Sequence, residues 1–497
     1  MNKSLKNCLL LPIMTLLFSL FITAFIPSHN VQAATQDNYL NNIKKKGTLV
    51  MGTAPDYPPY EFIGKGDSGS QVYGADIDLG QKIAKNMDVK LKVKSMGFDS
   101  LLVALQTHKI DMVIAGLNKT PERAKSVDFS NSYYTAGSSL VINKADKNKI
   151  KSYKDLKNSS VGAQVGSVQY DEAKKFIKGV NLKGMENIND LVLALKSNKI
   201  AAIPMDNSVA QAYVSHNDGI TKINSGFSTE GSGNNAAFPK GAQSLVNSAN
   251  DTIKEINAKN EYVKNFVPDA IKHMPDNKNT STANSMWQYK SFFIEGIKNT
   301  ILISVIAVIF GIILGIIFAL MRLSHNWLLH AVAVCYIEFI RGTPQLVQIM
   351  FVYFGLGAVV NVPALTAGIV AISINSGAYV AEIIRSGITS ISVGQNEAAL
   401  SLGLSSKQSM RYIVLPQAFK NIWPALGNEL VTLIKDSSLA STIGVGELMY
   451  QMRAVQADTY KGVAPIAIIM VIYFIITFAI SRMMKYFEGK FNHGTND

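Results

Sequence analysis

One arginine, one aspartate and several aromatic rings are the residues of this 497-residue chain best suited to hold a small charged molecule. Arg123 closes the run Gly116-Leu117-Asn118-Lys119-Thr120-Pro121-Glu122-Arg123. A guanidinium there can clamp a carboxylate through two parallel hydrogen bonds. Asp206 follows Pro204 and Met205 and offers a carboxylate to an ammonium group. The stretch APDYPPYEF, Ala54 to Phe62, presents aromatic faces from a loop stiffened by prolines. A clamp for a carboxylate, an acceptor for an amine and aromatic faces for the remainder together describe an α-amino acid. Each residue also has a plainer reading. Arg123 could pair with Glu122 or Asp128, Asp206 could cap a helix beginning near Asn207, and the aromatics could be core.

These residues lie in loops of an alternating pattern. Thr48 to Gly52, Val89 to Val93, Met112 to Ala115, Ser139 to Ile142, Val161 to Gln164 and Ala201 to Pro204 read as strands. Ile77 to Met87, Phe98 to Gln106, Asp171 to Lys178 and Asn189 to Ser197 carry helical spacing between them. That alternation predicts an α/β fold of two lobes, with ligand beyond the carboxyl ends of the strands.

GTAPDYPPYEF, GADIDLGQKIA, FDSLLVALQTHKIDMVIAGLNKTPERAKSVDFSNSYY and AAIPMDNSVAQAY resemble the polar-amino-acid family of solute-binding proteins. The resemblance covers Lys46 to Ala270 and implies a type II periplasmic-binding-protein-like domain. It implies that Tyr57 and Phe98 sandwich the ligand side chain, and that Gly116, Asn118 and Arg123 hold the α-carboxylate. It places the α-ammonium at Asp206, and a second-lobe contact at Ser167 to Gln169, in VGSVQ. Two positions depart from the pattern. Asn118 stands where Ser or Thr is usual. Ala54 stands where binders of cationic amino acids often carry Asp, which favours a neutral ligand such as glutamine, with Asp56 nearby as the counterweight.

The remaining chain places this domain. Lys3 and Lys6, the apolar run Cys8 to Ile26 and Val31-Gln32-Ala33 read as a signal peptide over residues 1–34, with an uncleaved anchor as the alternative. The binding domain is expected over 46–268 and a polar tether over 269–290. A transmembrane domain is expected over 291–490. Five spans are expected there, all helical: Thr300 to Leu320, Leu328 to Gly357, Ala364 to Arg385, Trp423 to Leu439 and Ala464 to Ile480. Arg322, Lys407, Arg411, Lys420, Arg482, Lys485 and Lys490 then mark the cytoplasmic side, leaving the binding domain outside and the C-terminus inside. Glu338 with Arg341, and Glu382 with Arg385, are three apart and can neutralise one another; Lys435 and Asp436 are further intramembrane charges. These six either line the path or fix packing. The formal charge of +13 is scattered, without a dense basic and aromatic surface, so no nucleic-acid partner is expected. Cys8 and Cys335 are the only cysteines, which excludes a disulfide framework or a cysteine metal site. GDSGS, Gly66 to Ser70, has no supporting context as a nucleophile loop and suits a turn.

Between apolar segments lies a polar stretch, Gly394 to Pro416. A helix from Gln395 to Leu402 is expected to stop at Gly403. A second starts at Ser405 with a Gln408 capping box and ends at Pro416. Glu397, Ala398, Ala399, Gly403, Ile413, Leu415 and Pro416 resemble the EAA signature of ABC importer permeases. The resemblance implies a cytoplasmic elbow that docks on an ATPase subunit. EFIRGTP, Glu338 to Pro344, further resembles the polar-amino-acid permeases. No G-x-x-x-x-G-K-[ST] phosphate loop occurs, so ATP and Mg²⁺ are expected on a separate subunit, with no cofactor on this chain and no enzymatic activity of its own. A homodimer is expected by symmetry. The reading is thus a fused solute-binding and permease subunit of an ABC importer for a polar amino acid, glutamine favoured. The alternative is an amino-acid-gated ion channel or a chemosensory receptor built on the same binding domain.

Overall fold

A computed structural model describes residues 37–66, 69–135, 137–227, 233–274, 286–356, 362–459 and 461–493. The signal-peptide reading and the middle half of the tether, residues 275–285, fall outside these residues. Two compact units make up the chain: Gln36–Ile297 with Ser441–Ile469, and Lys298–Ala440 with Met470–Asp497.

The first unit contains two five-stranded sheets. In the first, Lys90–Ser95, Thr48–Thr53 and Met112–Val113 run parallel, and Asn234–Pro239 and Val127–Tyr134 complete it. In the second the order is Asn181–Met185, Ser160–Gln164, Ala202–Asp206, Ser138–Asn143 and Ile220–Asn224. Its first three strands are parallel and the others antiparallel to their neighbours. The chain leaves the first sheet after Tyr134 and returns at Asn234, so each lobe is tied to the other by two connections. That topology gives a two-lobed hinge rather than a rigid block. Central strands are buried, Ala202–Asp206 throughout and Thr48–Thr53 from Leu49 on, because helices cover both faces. The alternation read from sequence therefore holds, although five strands and the hairpin Glu61–Gly66 to Gly69–Tyr73 were not foreseen. Of the GDSGS residues, Gly66 pairs with Gly69 in that hairpin. The helix Val267–Lys272 carries helical structure beyond residue 268.

The second unit is helical among its described residues. Three helices are long and apolar enough to cross a membrane: Met286–Leu323, Ala364–Thr389 and Val463–Gly489. The segment expected as a second span is not one helix. Trp327–Arg341 stops at Gly342, and helix resumes at Gln345 after Pro344, whose ring forbids continuation. The segment expected as a fourth span lies in Leu415–Asp436, which is less apolar and does not meet the same standard. Gly311 and Gly315 let two long helices approach closely. A Cβ at either would fall 2.6 Å from Ser376 Oγ or 2.4 Å from Val380 Cγ1.

The charged residues of this unit are organised around Glu382. Its carboxylate meets Arg385 at 2.6 Å, Arg322 at 2.8 Å and Arg341 at 4.0 Å. The expected Glu338–Arg341 pairing is not found among the described ion pairs; Glu338 meets Arg322 at 3.5 Å instead. Sequence spacing favours i,i+3 partners, but helix packing brings Arg322 closer.

The polar elbow forms largely as its residues dictate. Val393–Ser401 is helical, and Gly403 turns left-handed at φ +87°. The Leu404 N–H reaches the Ala399 carbonyl at 3.1 Å and the Gly403 N–H reaches Leu400 at 3.0 Å, the paired bonds of a Schellman stop. Ser405 and Gln408 form the expected capping box. Pro416 does not end the second helix. Met410–Val414 widens to a π turn and Leu415–Asp436 continues from it, with Pro416 in the first turn of the new register. There its missing N–H costs no bond.

Candidate functional site

The predicted binding residues converge between the two lobes. Tyr57, Phe98, Gly116, Asn118, Ser167 and Gln169 line one small cavity. Each is placed by local rules. Tyr57 leaves the short strand Asp56–Tyr57, and Phe98 opens a 3-10 turn that runs into the helix Leu101–Gln106. Ser167 is the N-cap of Val168–Phe176: its Oγ accepts from the Tyr170 N–H at 3.1 Å and donates to the Gln164 carbonyl at 2.7 Å. The Thr120 hydroxyl caps the helix Pro121–Ser126 by accepting from the Arg123 N–H, which fixes where the arginine starts.

Arg123 and Asp206 are not among the residues facing the cavity. The Arg123 guanidinium donates to the Asn118 carbonyl at 2.6 Å and, across the cleft, to the Gly166 carbonyl at 2.7 Å; it lies 5.8 Å from the centre of the Phe98 ring. The ion pair with Asp128 is not formed, since Asp128 pairs with Lys240 at 2.8 Å. Burial lowers the Arg123 pKa to about 10, against the opposing field of Asp171. Asp206 occupies the N-cap position of Asn207–Ser215, but its side chain makes no capping bond. Its Oδ1 instead accepts from Gln169 Nε2 at 2.9 Å, and its N–H donates to the Tyr57 hydroxyl at 3.1 Å. Asp206 Oδ2 is buried with no hydrogen-bond partner among the described residues. Burial pushes its pKa up to about 7, with the Gln169 amide opposing.

Gly116 and Asn118 are also engaged. The Gly116 N–H donates to Asp76 Oδ2 at 2.8 Å, and Asn118 Nδ2 donates to Asn234 Oδ1 at 3.2 Å. Asp76, fully buried, further accepts from the Tyr133 and Tyr262 hydroxyls, so one carboxylate ties the Gly116 loop to two other elements. It belongs to GADIDL, where its position on a helix beginning beside the cavity was the available signal.

Three further polar residues line the cavity: Asp56, Glu61 and Gln164. Asp56 Oδ2 accepts from the Ile188 N–H of the other lobe at 2.9 Å, and Gln164 Nε2 lies 3.5 Å from the same oxygen. Burial raises the Asp56 pKa to about 7, opposed by the Ile188 N–H and the field of Arg453. Glu61 is only 1% exposed, and neither carboxylate oxygen receives a hydrogen bond from a described N–H or ordinary hydroxyl. Its neighbour is the Asp76 carboxyl; burial and then that charge hold the Glu61 pKa well above the usual carboxylate range. Both were visible in APDYPPYEF, but which of its side chains face inward is a tertiary fact.

A two-lobed α/β domain whose lobes meet at a small cavity lined from both sides, carried on the same chain as apolar helices, is the arrangement of a binding-protein-dependent transporter. Residues 49–266 match the bacterial extracellular solute-binding proteins, family 3, and residues 311–493 match the binding-protein-dependent transport system inner membrane component. The glutamine transport system permease protein GlnP of Escherichia coli (strain K12) is 39% identical over 210 residues, 42% of this chain and 96% of that protein. The arginine transport system permease protein ArtQ of Bacillus subtilis (strain 168) is 41% identical over 201 residues, 40% of this chain and 92% of that one. Among solved structures, an L-arginine-bound amino acid ABC transporter substrate-binding protein from Streptococcus pneumoniae aligns at 34% identity. It covers 48% of this chain and 99% of that chain, with TM-score 0.46. The chain belongs to the amino acid ABC importers, with a solute-binding domain fused to a permease domain.

Proposed function

We propose that this chain captures a polar α-amino acid outside the cell and passes it through a homodimer of its own permease halves. A cytoplasmic ATPase subunit supplies the energy with ATP and Mg²⁺. The observation that carries the reading is the arrangement of Arg123 and Asp206. Asp206 is buried and Arg123 half-buried beside the same cleft; Arg123 donates to the Asn118 carbonyl and to the Gly166 carbonyl of the other lobe, and Asp206 accepts from the cavity residue Gln169. In this reading the α-carboxylate takes over the Arg123 donors now given to the Asn118 and Gly166 carbonyls. The α-ammonium displaces Gln169 from Asp206, and Tyr57 and Phe98 flank the side chain. Ser167 and Gln169 bring the second lobe to the ligand, with Gly116 and Asn118 shaping the carboxylate end. Because these groups come from both lobes, ligand stabilises the closed form by contacts the open form lacks.

The elbow supports the motor side of the proposal. Glu397 and Ala398 are exposed, Ala399 is buried, and Leu402 is 84% exposed beside exposed Met410, Tyr412, Leu415 and Pro416; Ile413 is half-buried. An apolar surface rimmed by Lys407 and Arg411 suits a protein groove. Five spans, an outer binding half and a cytoplasmic C-terminus complete the proposed topology, supported by the basic residues flanking the apolar helices. Glu338, Arg341, Glu382 and Arg385 act in packing here, supported by the ion pairs centred on Glu382.

The test is radiolabelled amino acid uptake into proteoliposomes holding this chain and its co-expressed ATPase. Uptake that stops without ATP is expected. Equal uptake without ATP, or single-channel currents on adding amino acid, would replace the importer by a channel.

A further inference from the structure

Glu61 and Asp76 are two carboxyls side by side in the interior of the first lobe, 1% and 0% exposed. The backbone brings them together. Glu61 opens the strand Glu61–Gly66, and the helix Ala75–Asn86 starts against the residues just before it. The Ala75 N–H donates to the Pro59 carbonyl at 3.0 Å, and the Asp76 N–H donates to the Tyr60 carbonyl at 2.9 Å. Gly74, at φ +142°, permits the approach: a Cβ there would stand 2.0 Å from the Tyr60 oxygen and 2.8 Å from the Glu61 Cα. Among the described residues no ion pair within 4.0 Å includes either acid. The further groups whose fields meet at Glu61 are Asp56, Asp206, Tyr57 and Tyr133, while the positive field of Arg453, on the helix Leu448–Thr459, falls on Asp56. Two adjacent buried carboxyls without a cation do not both ionise.

The hydrogen bonds show which one holds the proton. An ionised carboxylate has about four acceptor sites and no donor. Asp76 Oδ2 accepts from the Gly116 N–H and from the Tyr133 hydroxyl, each at 2.8 Å, and Oδ1 accepts from the Tyr262 hydroxyl at 2.5 Å. One acceptor site remains, on Oδ1. Glu61 is the reverse: both oxygens are buried, and neither has an N–H or ordinary hydroxyl partner among the described residues. An ionised group so placed carries its full desolvation penalty. A neutral acid has one O–H to give, and the remaining site on Asp76 is beside it. Burial, and after it the Asp76 charge, holds the Glu61 pKa well above the usual carboxylate range; at Asp76 burial is opposed by the Tyr262, Gly116 and Tyr133 donors.

We propose that Glu61 is held as the neutral acid and donates a hydrogen bond to Asp76, and that this acid–carboxylate pair positions Gly116 at the carboxylate end of the amino acid site. Glu61 is thus a positioning residue that acts through Asp76. Gly116 stands at φ +54° with its N–H given to Asp76, and the Tyr57 ring lies 3.3 Å from where a Cβ would be. The same loop carries the Asn118 carbonyl that accepts from the Arg123 guanidinium, so a displaced Asp76 misplaces the clamp. The positioning role rests on the amino acid importer reading of that site; the protonation of Glu61 does not.

The experiment uses the purified full chain in nanodiscs at pH 7.5, as wild type, Glu61→Gln and Glu61→Met. The infrared difference between wild type and Glu61→Gln is expected to show the C=O absorption of an un-ionised carboxylic acid in the wild type alone. Binding is measured by calorimetry for the amino acid that the wild type holds most tightly among the twenty. Glutamine keeps the shape of the acid and gives Asp76 an N–H, so Glu61→Gln is expected to bind within about threefold of wild type. Methionine keeps the length without a donor, and Glu61→Met is expected to bind roughly tenfold more weakly or worse. Absence of the acid absorption from the wild type overturns the proposal. Glu61→Gln binding as weakly as Glu61→Met, or Glu61→Met binding as tightly as wild type, overturns the positioning role and leaves the importer reading intact. If the wild type binds none of the twenty, the importer reading falls and takes the positioning role with it, while the infrared absorption still decides where the proton is.

Discussion

Asp56 of the first lobe accepts a hydrogen bond from the backbone N–H of Ile188, the first residue of a second-lobe helix, at 2.9 Å. The two residues are 132 positions apart, and their contact exists only when the lobes approach. The Tyr213 hydroxyl adds a bond to the Asp56 carbonyl at 3.0 Å. A carboxylate at a helix N-terminus is stabilised by the unpaired N–H groups there, so Asp56 acts as a latch between lobes as well as a wall of the cavity. Replacing it by Ala is expected to shift the domain toward the open form by about 1–2 kcal/mol, the scale of a lost charged cap. Single-molecule distance measurements between the lobes will show a smaller closed population; an unchanged one removes the latch.

Arg123→Ala is expected to weaken amino acid binding by roughly 100-fold or more, since the lost bonds are charge-assisted and paired. The fold is expected to survive, because the helix Pro121–Ser126 is capped by Thr120 rather than by the guanidinium. Calorimetry together with an unchanged circular dichroism spectrum is the check. Arg123→Lys restores charge without the fork and is expected to recover little.

The buried acids predict a pH dependence with a definite sign. Asp56 and Asp206 are both raised from the ordinary carboxylate range to about 7, burial being the largest cause. Groups raised on folding contribute stability that is complete below about pH 4 and is lost as pH rises through about 7. Each shift corresponds to at most about 4 kcal/mol, and the two are not additive because both acids interact with Glu61. Thermal unfolding without added amino acid is therefore expected at lower temperature at pH 8 than at pH 5, and Asp206→Asn is expected to flatten that slope. A midpoint that rises from pH 5 to 8 contradicts the assignment.

Gly403 is held by its backbone, not by crowding. Its φ is +87° and nothing lies within 4 Å of where a Cβ would stand. Gly403→Ala is expected to cost about 1 kcal/mol locally. Gly403→Pro also removes the N–H given to Leu400 and forbids the left-handed turn. ATPase stimulation in the reconstituted importer is expected to be lost in the proline variant with amino acid binding unchanged; retained stimulation counts against the elbow's role.

Glu382 faces three guanidinium groups, so Glu382→Gln leaves like charges together. A loss of about 2 kcal/mol or more is expected, as for other broken networks of partly buried ions. The detergent-solubilised chain is expected to melt earlier, and Arg341→Met in the same background is expected to recover part of the loss.

Features governed by neighbours in sequence were legible from it. The Ser405–Gln408 capping box, the Gly403 stop and the alternation of strands and helices each depend on a few adjacent side chains and on backbone conformations they prefer. The convergence of Tyr57, Phe98, Gly116, Asn118, Ser167 and Gln169 was anticipated from motifs, since loops at strand ends gather in such folds. Pro416 does not end the helix because the π turn Met410–Val414 just before it shifts the register and spares the proline its clash. Tertiary structure alone decided that Arg322 would meet Glu382, 60 residues away, and take Glu338 from its expected partner Arg341, and that Glu61 would be buried beside Asp76. Short-range preferences specify which elements form. The dielectric, the partners and the inward face of each side chain are set by packing between elements far apart in the chain, where no local pattern records them.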